Sequence, residues 1–230
     1  MLSAVLFDFD GVIANSEPLH FRAFREVLAG EGLTLSESDY YARYLGFSDA
    51  GAFEAIAGDR GVAWSPAHIS SMVDRKAVRM EELERHESVL FPGASTVIRR
   101  LAAGCTLGVV SGALRAEILR VLDHEQLTSA FSTVVGSEDT AKSKPAPDPY
   151  LRALELLSIQ FGRELDPRTC VAIEDSRWGL ESARAAGLRT VGVTHTYSAQ
   201  TLQSTADVVI PQLDVLTFEF LRKIAQRTSD

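Results

Sequence analysis

Apolar positions follow two different rhythms along the chain. Over residues 15–88 they recur every three or four positions, the spacing of one helix face. Leu19, Ala23, Val27 and Leu28 form such a stripe behind Ser16-Glu17-Pro18, which offers a capping hydroxyl, an acid for the first turn and a proline where no amide donor is needed. Gly30 and Gly32 are placed to end that helix. Shorter helices are predicted over 36–44 and 49–57. A long one is predicted over 66–84, carrying Ile69, Met72, Val73, Ala77, Met80 and Leu83. Nothing between 15 and 88 reads as a strand, so this stretch is predicted to be an all-helical insertion.

Outside it, short unbroken apolar runs alternate with helical stretches. Strands are predicted at 4–7, 106–110, 133–135, 170–173, 190–193 and 208–210. Helices fall between them at 94–103, 114–122, 149–157 and 179–186, with a closing helix at 215–225. Regular alternation of this kind implies a parallel sheet covered by helices on both faces. The fold class expected is therefore α/β: a Rossmann-like parallel-sheet core made of 1–14 and 89–230, with a helical domain inserted at 15–88. Phe91-Pro92-Gly93 reads as the hinge between them, and the last few residues are expected to fray.

The polar residues that interrupt this pattern stand at strand ends. Asp8 and Asp10 close the first run, two residues apart, so that in extended chain their carboxylates leave on the same side. Two such charges ~4 Å apart repel by roughly 4 kcal/mol at an effective dielectric near 20, which calls for a cation or a shared proton. Ser111-Gly112 ends the second strand and leads into a helix, Lys144 stands in Lys-Ser-Lys-Pro-Ala-Pro-Asp, and Glu174-Asp175 ends the fourth strand. In open parallel sheets the ligand crevice lies beyond the carboxyl ends of the strands, so the topology would gather these distant residues. Each also has a plainer reading: an Asp-Gly turn, a solvated loop lysine, a helix-capping Glu-Asp-Ser cluster, a loop-to-helix turn.

These four motifs, in this order, resemble the signatures of the haloacid dehalogenase-like hydrolases, a superfamily made mostly of phosphatases and phosphomutases. The resemblance implies that Asp8 is a nucleophile forming an aspartyl phosphate and that Asp10 is the general acid and base. It makes Lys144 the charge-balancing cation and Ser111 with Gly112 the phosphate contacts. It also implies Mg2+ as cofactor, held by Asp8, Asp175, Glu174 and the backbone carbonyl of Asp10; the donors are hard, all-oxygen and anionic, as that ion requires. The helical insertion would act as a cap. Within it Ser16 and His20 match positions that the β-phosphoglucomutase-like branch uses near the hinge to couple closure to acid-base chemistry, and Lys76 matches a substrate-contacting lysine of the mutases, although a lone helical histidine is more often a packing residue and a lysine on an apolar face usually snorkels to water.

Two departures bear on the reaction. The mutases carry an arginine in a cap loop for the far phosphate of a bisphosphate, whereas Leu45-Gly46-Phe47-Ser48-Asp49 offers an acid; Ala113-Leu114-Arg115 replaces a polar run. Both favour water as acceptor, hence a phosphatase of a small phosphorylated metabolite. The alternative is a phosphomutase whose far-phosphate contact is Arg43, Arg75 or Lys76. A dehalogenase would lack Asp10, and an inactive binding scaffold would be expected to have lost a motif.

Composition narrows the partners. At 46% hydrophobic and 23% charged, the 230 residues suffice for a sizeable core. A net charge of -8 argues against nucleic acid or an anionic membrane as partner. Cys105 and Cys170 sit in or beside predicted strands without a metal or redox motif, as reduced packing residues of a cytoplasmic protein would. The amino-terminal apolar run has no basic leader and is broken by Asp8 and Asp10, so it is not expected to be a secretion signal. No apolar stretch is long enough to span a bilayer, and a monomer or small homo-oligomer fits the rest.

Overall fold

The computed structural model describes residues 2–45 and 47–226. The expected fraying at the carboxyl terminus falls on 227–230, outside the described residues, as does Gly46 of the loop before Asp49. The chain divides into two compact units, Ser16–Val89 and Met1–Asn15 with Leu90–Asp230.

The first unit is helical: α1 (Glu17–Gly30), α2 (Glu37–Asp39) running into a π turn at Tyr40–Tyr44, α3 (Asp49–Arg60) and α4 (Pro66–His86). Ser36, Ser48 and Ser65 cap the last three, each hydroxyl accepting an amide from the first turn. Ser16 does not cap α1. Its backbone is already helical, at φ -76 and ψ -18, whereas a capping side chain needs an extended residue to reach back. The buried stripe of α4 is Ile69, Met72, Lys76, Met80 and Leu83, so Lys76 occupies the place expected for Ala77, which is exposed. This face packs with Phe21, Phe24, Tyr40, Phe53 and Ile56 into one core, in which the Phe24 and Phe53 rings meet edge-on at 4.9 Å.

The second unit is the expected α/β fold. Strands β1 (Ala4–Phe7), β2 (Thr106–Val110), β3 (Thr133–Val135), β4 (Cys170–Glu174), β5 (Arg189–Val193) and β6 (Val208–Ile210) form a six-stranded sheet in the order β3-β2-β1-β4-β5-β6. Every pairing is parallel. Helices α5 (Ala94–Ala102), α6 (Arg115–His124), α7 (Asp148–Phe161), α8 (Arg177–Ala185), the short α9 (Ala199–Leu202) and α10 (Phe218–Ala225) connect and follow the strands. Beneath α7, Tyr150, Ala153, Leu154 and Leu157 pack on Leu6, Val110 and Ala172 of the sheet. β1 and β4 are buried along their whole length, as continuous apolar runs in a doubly covered sheet must be. The chain moves outward from β1 through β2 to β3, then returns to the other side of β1 with β4. The strand order thus reverses between β1 and β4, the place where such sheets open a crevice. No helix among the described residues is long and apolar enough to cross a membrane.

Candidate active site

Register fixes which residues meet at that crevice. Phe7 is level with Val109 on one neighbour and Ile173 on the other, so Asp8, Ser111, Glu174 and Asp175 emerge together at the carboxyl edge. Asp8 is held there by its own amide, which donates to the Ile173 carbonyl at 2.9 Å. The chain then bends at Phe9, whose carbonyl collects the amides of Val12, Ile13 and Ala14.

That bend changes the relation expected between the two aspartates. Asp8 is buried and Asp10 exposed, because the extended geometry that would align them does not continue past Phe9. The Asp10 carboxylate instead accepts a 3.5 Å hydrogen bond from Ser111 Oγ. The acids that share one small space are Asp8, Glu174 and Asp175, whose carboxylate oxygens lie within 4.8 Å of one another.

Lys144 reaches into this group from the loop before α7. Its ammonium donates to Asp8 Oδ1 at 2.8 Å, to the Val110 carbonyl at 2.9 Å and lies 2.7 Å from Glu174 Oε1. It is not a solvated loop lysine. Burial works against its charge, but the Asp8 and Glu174 carboxylates more than offset this and hold its pKa above the usual lysine value. The acids feel the opposite imbalance, since three carboxylates face one ammonium. Burial, followed by the Asp8 charge, pushes Glu174 up to about 8 and Asp175 up to about 6. A hard dication fits this donor set: all ligands are oxygen, and its charge would relieve the excess of negative over positive groups.

Two glycines make room for the acids. Gly11 has φ +80, and a Cβ there would overlap the Asp175 carboxylate. A Cβ on Gly179 would overlap that of Glu174. Ser176 caps α8 through the Gly179 amide at 3.1 Å and also leans toward Glu174, so the capping role of the Glu-Asp-Ser cluster coexists with the acid cluster. Past Ser111 and Gly112, the amides at the start of α6 are already engaged within the protein. The amide of Ala113 is taken by Ser111 Oγ, that of Leu114 by Glu117 and that of Arg115 by Glu138. Gly112 is exposed ahead of them.

Ser16, His20 and Lys76 belong to the helical unit. Lys76 is 1% exposed and so does not snorkel; its ammonium pairs with Asp49 Oδ1 at 2.5 Å, meets His20 Nδ1 at 2.8 Å and sits 4.5 Å from the centre of the Phe24 ring. Ser16 stands at the start of α1 and takes no part in this cluster's contacts with Lys76. Asp49 had been singled out by sequence only as an acid in place of a cation. Tyr150, which bonds Glu174, was not singled out at all: a tyrosine in a helical apolar stripe carries no mark of what its hydroxyl touches.

Residues 5–193 match the family model described as haloacid dehalogenase-like hydrolase. The chain belongs to this family. Among curated proteins, CbbY of Rhodobacter capsulatus is 36% identical over 222 residues, covering 92% of this chain and 94% of its own. A phosphorylated carbohydrates phosphatase of Thermotoga maritima is 28% identical over 198 residues, covering 85% and 87%. The crystal structure of Rhodobacter sphaeroides CbbY in complex with xylulose-1,5-bisphosphate superposes with a TM-score of 0.72 at 26% identity, covering 94% and 96%.

Proposed function

We propose that this haloacid dehalogenase-like hydrolase is a Mg2+-dependent phosphatase of small phosphorylated sugars or polyols, working through an aspartyl phosphate on Asp8. The observation that carries the reading is the buried group Asp8, Glu174, Asp175 and Lys144 at the strand-order reversal. The names of the relatives supply the substrate class.

An Asp8 oxygen attacks phosphorus and the bond to the sugar oxygen breaks, leaving a mixed anhydride on Asp8. Asp10, exposed and within 3.5 Å of the Ser111 hydroxyl, would give the departing oxygen its proton. It then takes a proton from water as that water attacks phosphorus, which releases inorganic phosphate and regenerates Asp8. Lys144 keeps the attacking carboxylate oriented and balances charge on the transferred group. Asp8, Asp175, Glu174 and the Asp10 carbonyl would hold Mg2+, which would supply the remaining positive charge.

The helical unit favours hydrolysis over the mutase alternative. Arg43, Arg75 and Lys76, the cations on which the mutase alternative relies for a far phosphate, are each paired at 2.5 Å with Asp59, Glu31 and Asp49 respectively. A second phosphate would have to displace a carboxylate. Purified protein incubated with a panel of sugar and polyol phosphates, including sugar bisphosphates, should release inorganic phosphate with Mg2+ and not with EDTA. Isomer exchange without phosphate release would overturn the proposal.

A further inference from the structure

We infer that Tyr150 is a positioning residue that fixes Glu174 for the divalent ion and, through Glu174, fixes Lys144 on Asp8. This rests on the Mg2+ reading given above. Tyr150 and Glu174 are both 0% exposed, and the phenol donates to Glu174 Oε1 at 2.6 Å. The same oxygen lies 2.7 Å from the Lys144 ammonium, so one carboxylate oxygen ties α7 to the lysine loop. Lys144 has three hydrogens and three oxygen partners, Glu174, Asp8 and the Val110 carbonyl. A turn of Glu174 would therefore leave one hydrogen of the ammonium without its acceptor.

Glu174 is also bounded by the start of α8. Ser176 Oγ lies 3.4 Å from Oε2, and α8 presses Gly179 so close that any side chain there would overlap the carboxylate. The tyrosine therefore supplies a directional bond to Glu174 from α7, beside the wall made by α8 on the same face of the sheet. Its ring, 5.4 Å from the Lys144 ammonium, fills space independently of its hydroxyl. Hydrogen bonds from a second layer of residues to metal-binding carboxylates are worth about 10–100-fold in metal affinity or activity.

Tyr150→Phe removes the hydroxyl and keeps the ring. In this variant the Mg2+ dissociation constant, measured by calorimetry and by the Mg2+-dependent rise in melting temperature, should weaken about 10-fold or more. The KM for substrate at saturating Mg2+ should stay within twofold. A purely space-filling tyrosine would leave the Mg2+ constant unchanged, so a value within twofold of wild type overturns the inference. Melting in EDTA establishes that the variant is folded. Wild-type protein that binds no Mg2+ would overturn the metal reading, and this inference with it. Wild-type binding with an unchanged Tyr150→Phe constant overturns this inference alone.

Discussion

Asp8 and Asp10, two positions apart, have opposite surroundings, and this predicts opposite consequences for their removal. Asp8→Asn should lower phosphate release by about 10⁴-fold or more, as loss of a nucleophile does. It should leave melting in EDTA equal or higher, because it removes one of three crowded carboxylates. Asp10→Asn should lower kcat about 10²–10⁴-fold through loss of acid-base chemistry. Its Mg2+ affinity should stay near wild type, since only the Asp10 backbone is assigned to the ion; calorimetry separates the two. The acids were legible in sequence because charged residues directly after apolar strands are conspicuous and sheet topology says where strand ends go; Lys144, in the loop before α7, was legible only through the family resemblance. Tyr150, Gly11 and Gly179 were not. Their significance is a contact with a residue distant in the chain, or a missing Cβ, and neither leaves a periodic trace.

At the level of elements, helix and strand type followed from apolar spacing, while details at the ends depended on local dihedrals. Ser16 has the composition of a cap but a helical backbone, and three other serines with extended backbone do the capping. On α4 the spacing gave the right stripe and the wrong member, because a buried lysine with an acid and an imidazole to hold it can stand where an alanine was expected. Asp49→Ala should destabilise the protein by about 1–2 kcal/mol in urea denaturation. This is below the value for breaking a fully buried pair, since Asp49 is 34% exposed. Gly179→Ala should force α8 away from β4, lowering stability by about 1–3 kcal/mol and weakening Mg2+ binding in the same melts.

For the whole molecule, the acid cluster links stability, pH and metal. Glu174 moves from a usual value of 4.5 to about 8 and Asp175 from 3.8 to about 6 on folding. A carboxyl raised in this way favours the folded state while protonated. Metal-free protein is therefore stabilised by these groups below about pH 4, and loses that contribution as pH rises toward about 8. Mg2+ binds the deprotonated acids and restores it, so the rise in melting temperature from saturating Mg2+ should be larger at pH 8 than at pH 5.5. A rise that is equal at both pH values would show that these acids do not bind the ion.

The position of β1 has a consequence for biosynthesis. Ala4 pairs in register with Thr106 on one side and Cys170 on the other, so one of the two central strands of the sheet is translated long before either neighbour. Ala-Val-Leu-Phe must wait, sticky and unpaired, while most of the polypeptide is made, a situation that invites aggregation and chaperone capture. Ribosome-stalled chains ending before Cys170 should be readily digested by protease, and resistance should arise abruptly once β4 has cleared the exit tunnel.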